Sequence, residues 1–88
     1  MQETVPMFDG ENAIIFKARM EAKLRIKDVW GAIEDFEHKH STDTELLKSW
    51  KKMEGKARAY IILNVEEQYL ITFEGLDSKQ IWDKIDEL

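Results

Sequence analysis

Pro6-Met7-Phe8-Asp9-Gly10-Glu11-Asn12 runs directly into Ala13-Ile14-Ile15-Phe16-Lys17-Ala18-Arg19-Met20-Glu21-Ala22-Lys23-Leu24-Arg25-Ile26-Lys27, and this stretch sets the architecture of the chain. Asp9 reads as the N-cap of a first helix, because its carboxylate can accept from the free amides of the first turn, with Glu11 near the positive helix end. Phe8, just ahead of the cap, is placed to fold back on the first turn. Met1 to Pro6 reads as a mobile or extended arm. At 100° per residue, Ala13, Phe16, Met20 and Leu24 gather on one face, which we assign to the core. Ile15, Ala18, Ala22 and Ile26 form a second apolar stripe on roughly the opposite side, with the charged residues in the seams. A helix apolar on two faces is either central in its bundle or covered by a partner chain.

Working outward, Gly31 limits a short second helix from about Lys27 to Glu34, with Trp30 and Ile33 facing the core. Glu34 to Asp43 is polar and reads as a loop that Phe36 pins down. Thr42-x-x-Glu45 has the pattern of a capping box and predicts the start of a third helix. Its core stripe is Leu46, Trp50, Met53, Ala57, Tyr60 and Ile61, with Lys48, Lys52 and Lys56 as an exposed row. Gly55 interrupts that run, which suggests a bend or a close helix contact. A fourth short helix restarts at Glu66 with Tyr69, Leu70 and Phe73 as its apolar set, and Gly75 ends it. Asp77 and Gln80 then form a second capping box, flanked by Leu76 and Ile81 as a hydrophobic staple, and open a fifth helix burying Ile81, Trp82 and Ile85, with Leu88 at its end. The expected fold is a single all-α domain, a compact bundle of about five helices.

With 88 residues, a hydrophobic fraction of 43% and a charged fraction of 35%, the chain can bury a small core beneath strongly charged helical faces. It has no cysteine, which removes disulfides, thiolate nucleophiles and Cys-based zinc sites and fits a reducing compartment. No apolar run approaches the roughly 20 residues that cross a bilayer. Met1-Gln2-Glu3 lacks the pattern of a signal peptide, so the expected location is intracellular, with no membrane partner. A formal net charge of −5 opposes sequence-independent nucleic-acid binding, which draws on lysine and arginine displacing counterions.

Chemistry-bearing groups are sparse. His38 and His40 are the only histidines, both in the polar loop, and with Asp35 and Glu37 nearby they could hold a divalent metal only loosely. No glycine-rich phosphate cradle is present. Lys48, Lys52 and Lys56 make the one basic patch on a defined surface; it reads as a solvated face, with phosphate or an acidic helix as the other option. The three tryptophans lie on apolar stripes and read as core. The expectation is a protein without catalytic site, cofactor or metal.

Taken in order, Phe8, Gly10, Phe16, Lys17, Met20, Leu24, Val29, Trp50, Lys51, Ile81 and Trp82 follow a pattern that resembles the N-terminal half of the capsid region of copia-type retrotransposon Gag proteins. The likeness spans nearly the whole chain. It departs where Ala13 takes the usual tyrosine position and Phe16 the usual tryptophan position, so the first turn has lost aromatic volume. The resemblance implies a helical capsid N-terminal domain whose copies assemble into a virus-like particle shell in the cytoplasm; the second apolar stripe, Ile15, Ala18, Ala22 and Ile26, or the charges adjoining it on the first helix, is the candidate self-association interface. In that family the protein continues into a second capsid half, so the resemblance also implies a Gag C-terminal capsid half as a partner where the full protein carries one. A truncated, host-retained Gag fragment, acting as a protein-interaction module or an inhibitor of particle assembly, is the alternative.

Overall fold

The computed structural model describes residues 4–88 and is helical, with five α-helices among them: α1 Ala13–Ile26, α2 Gly31–Glu34, α3 Thr44–Ile62, α4 Leu70–Phe73 and α5 Ser78–Ile85. Short 3-10 turns at Phe36–His40 and Glu67–Tyr69 lead into α3 and α4. The molecule is a slab of 39 × 32 × 17 Å. Helices pack about 8–10 Å apart, so a thickness of 17 Å holds two helical layers around one core.

The opening cassette folds differently from its expected form. Asp9 Oδ1 accepts from the amides of Glu11 at 2.8 Å and Asn12 at 3.1 Å, which closes a turn ahead of the helix. Asn12 is the N-cap residue of α1, and its side chain is used elsewhere, donating to the Met7 carbonyl at 2.9 Å and accepting from the Asp9 amide. Aspartate competes well for nearby backbone amides in a turn, and here that local bond displaces the cap. The turn presents Phe8 to a distant segment: its amide donates to Asn64 O at 2.8 Å, and its carbonyl accepts from Glu66 N at 3.0 Å. The result is an isolated parallel bridge between Phe8 and Val65. The Phe8 ring is buried between Phe16 and Tyr69, with centroids 5.5 and 5.2 Å away. Of the expected arm, residues 1–3 lie outside the described residues, while Val5 packs against the core.

Phe16, Met20 and Leu24 are fully buried along α1. The helix closes with Val29 N donating to Leu24 O and Asp28 N to Arg25 O, the paired bonds of a Schellman motif, with Asp28 in the left-handed region at φ 58°. This motif drives Val29 into the core and leaves Trp30 half-buried on the rim, edge-on to Trp82 at 5.2 Å with Arg25 over its outer face. Trp30 is thus not the interior residue that its apolar neighbours suggested. Ala32 and Ile33 of α2 are buried instead.

Asp43, not Thr42, caps α3: its Oδ1 accepts from Glu45 N at 3.0 Å and Leu46 N at 3.1 Å. A carboxylate one residue further along satisfies the same orphan amides. Trp50, Ala57 and Ile61 are buried on this helix, and the Trp50 indole donates to Ala32 O at 3.2 Å, tying α3 to α2. Met53 is half-buried because it ends against Gly31, where an added Cβ would come within 3.2 Å of Met53 Cε. Leu46 at the helix start and Leu88 at the chain end are exposed, and Tyr60 is half-buried beneath Lys23. Phe36 is exposed as well; it meets Lys79 on the surface and does not reach the core.

The capping box of α5 forms as read, with Gln80 N donating to Asp77 Oδ1 and Asp77 N to Gln80 Oε1, both at 2.9 Å. Ile81, Trp82 and Ile85 are buried, and Arg58 of α3 donates to the Leu76 and Phe73 carbonyls, fastening the α4–α5 connection.

Two glycines make opposite predictions. Gly10 sits at φ +91°, and a Cβ there would collide with the Tyr69 hydroxyl that donates to Asp9 O. Gly10→Ala is therefore expected to destabilise by about 1–3 kcal/mol through strain and loss of that contact. Gly55 lies inside an unbroken α3, and a methyl group at that position would have nothing within 4 Å of it, which removes the expected close contact. Gly55→Ala should raise stability by about 0.5–1 kcal/mol, read as a rise of a few degrees in the thermal midpoint.

Candidate functional site

The feature that the fold leaves unused is the outer face of α1. Ile15 is 52% exposed, Ile26 is 50% exposed, and Ala18 and Ala22 between them are exposed too. A helix buried on both faces needs a layer on each side, or roughly 23 Å of thickness. The slab is 17 Å thick, so α1 is an outer helix and the central-helix option falls. Ile14, 90% exposed, joins the stripe on its flank and was missed in the sequence. The signal was available, since Ile14 and Ala18 are four residues apart on one face.

Charges frame the stripe. At 100° per residue, Arg19 falls on one edge and Arg25 on the other. Arg25 pairs with Glu21 at 3.0 Å, and Arg19 makes no ion pair among the described residues. Lys17 is drawn the other way, to Asp86 Oδ2 at 2.7 Å and over the Trp82 ring at 4.7 Å, which ties α1 to α5 and fixes the stripe outward.

A second apolar feature lies where α3 meets α4. Ile62, Leu70 and Ile71, with Arg58 and Glu74 at the margins, line an open groove of about 340 Å³, and Ile71 is 83% exposed. The fourth helix was expected to bury Leu70 with Tyr69 and Phe73; only Phe73 is buried, because the four-residue α4 has one inward position.

Other groups singled out in the sequence remain scattered. Lys48, Lys52 and Lys56 are exposed along α3 and make no ion pair among the described residues. Asp35, Glu37 and His38 come together, with ligand atoms within 4.8 Å of one another, whereas His40 lines a separate shallow depression with Phe36 and Asp77. No hydrogen bond orients the His38 imidazole among the described residues, and ligands held by one short exposed turn give weak metal affinity. No helix among the described residues is long and apolar enough to cross a membrane.

No protein-family model, curated protein or solved structure matches the chain.

The outer α1 face is exposed and the inner one buried, so only the inner one is expected to be needed for folding. Ile15→Asp with Ile26→Asp should shift stability by no more than about 0.5 kcal/mol per site. Phe16→Ala should cost about 3–5 kcal/mol. Chemical denaturation of the two variants beside the wild type checks the contrast.

Proposed function

We propose that the chain is a self-associating helical building block, of the copia-type Gag capsid kind that its sequence resembles, contributing subunit contacts to a particle shell. The observation that carries this reading is the outer face of α1, where Ile14, Ile15, Ala18, Ala22 and Ile26 are exposed on a well-formed helix. Contiguous exposed apolar surface of this sort marks a contact site in soluble proteins. Its mixture of isoleucine and alanine favours close approach of another element, because alanine lets backbones come near while isoleucine supplies apolar area. The Schellman closure and the Lys17 contacts hold the stripe rigid, so little ordering entropy opposes association. In this reading no catalytic step takes place, and the cytoplasm is where assembly occurs.

Sedimentation velocity over a concentration series tests it. The wild type is expected to sediment faster as concentration rises into the high micromolar range expected of a small contact. The Ile15→Asp, Ile26→Asp variant is expected to stay monomeric with unchanged circular dichroism. Monomeric behaviour of both chains throughout the series would reject the reading.

A further inference from the structure

We infer that the α1 stripe of one copy seats in the groove at the α3–α4 junction of the next, so that copies join head to tail. This rests on the self-association reading and names the surface that receives the stripe. Charge decides between this arrangement and the simpler one, in which two α1 stripes face each other.

Along α1, with Lys17 turned away and paired with Asp86, Arg19, Lys23 and Arg25 stand against Glu21 alone, a local charge of +2. Residues 64–77 carry Glu66, Glu67, Glu74 and Asp77 with no lysine or arginine; Asp77 is paired with Lys39 at 3.0 Å beside another depression, which leaves three glutamates, a charge of −3, around the groove. Facing two α1 helices opposes +2 to +2, and like charges brought to side-chain contact distance repel appreciably even in a water-like medium. Facing α1 to the groove reverses the sign. The available charges sit on the right edges: Arg19 flanks the stripe without an ion pair among the described residues, Glu74 borders the groove, and Glu67 lies one turn before Ile71. Neither glutamate makes an ion pair among the described residues. Arg58, the one cation lining the groove among the described residues, is turned inward onto the Leu76 and Phe73 carbonyls.

The apolar parts match as well. The groove is open, and Ile62, Leu70 and Ile71 present an aliphatic surface without an unpaired buried polar group, suited to the isoleucines of α1. The two surfaces belong to different parts of the molecule, so the contact is heterologous, and each copy keeps a free stripe at one end and a free groove at the other. Assembly therefore continues beyond a dimer, as a ring if the rotation closes or a filament if it does not.

A complementation experiment tests this on the whole chain. One variant carries Ile15→Asp and Ile26→Asp; the other carries Ile71→Asp, at a site exposed enough that folding should survive. Circular dichroism checks both, and Glu74→Lys replaces the groove variant if Ile71→Asp does not fold. Each variant alone should lose association by about tenfold or more in the dissociation constant, the effect of setting a carboxylate in an apolar contact. Their equimolar mixture holds one intact stripe and one intact groove and should form heterodimers that grow no further. Wild-type association should weaken as salt rises. A groove variant that associates like the wild type would overturn the head-to-tail contact and leave self-association standing, as would a mixture that restores no heterodimer or association strengthened by salt. A wild type that never associates would overturn both.

Discussion

α1 has two apolar faces, and a slab of two helical layers can cover one of them. This constraint follows from size: a domain of 88 residues forms one small core, and at 17 Å thick it has no third helical layer to lay over α1. The choice between faces is settled by volume. Phe16, Met20 and Leu24 fill the interior far better than the alanine-centred stripe, so they go in and Ile15, Ala18, Ala22 and Ile26 stay out. Exposing that stripe lowers no stability that the inner face does not already supply, and it leaves a surface free for another use.

Stripe and groove are fixed relative to each other by the opening cassette. Phe8 is bonded through its backbone to Asn64 and Glu66 and packs its ring on Phe16 and Tyr69, so it joins the start of α1 to the junction where α3 gives way to α4. Gly10 allows the turn, because only a residue without Cβ can pass beneath the Tyr69 hydroxyl at positive φ. Farther along α1, Lys17 anchors the helix on the Trp82 ring of α5, and Trp82 also meets Trp30, the residue that opens α2. A rigid offset between two complementary surfaces is what a head-to-tail assembly needs, since any play between them would blur the rotation from copy to copy.

Local physics was legible in the sequence, and contacts between distant segments were not. The Phe16, Met20, Leu24 spacing and the Asp77–Gln80 box each depend on neighbours within a turn or two, and the helices they imply are there. Capping misled where two candidates competed: Asp43 took the place expected of Thr42, and Asp9 directed its carboxylate to its own turn. Trp30 looked interior by company, yet its burial depends on the Asp28 kink, a left-handed residue that no pattern announced. The Phe8–Val65 bridge could not be foreseen, because the two residues share nothing but a meeting in space. Of the candidate site, the stripe was readable, but whether the fold would cover it was not, and the groove exists only once α4 folds against α3.

The size of the stripe sets the character of any contact it makes. Fourteen residues at 1.5 Å each give a face about 21 Å long, and one helix face of that length buries much less than the roughly 800 Å² per partner of a stable complex. A single contact is therefore weak, and its charge component weakens further at physiological salt, where the screening length is about 8 Å. Weakness is an advantage for a surface repeated on every copy. When a copy can be held by its stripe and its groove together, closing a ring makes the last contact intramolecular, and closure multiplies the two affinities instead of adding them. Contacts that are individually reversible allow wrongly placed copies to leave before closure, whereas a strong interface would trap them. The polar framing of a modest apolar face, with isoleucine at its ends and alanine at its centre, meets that demand.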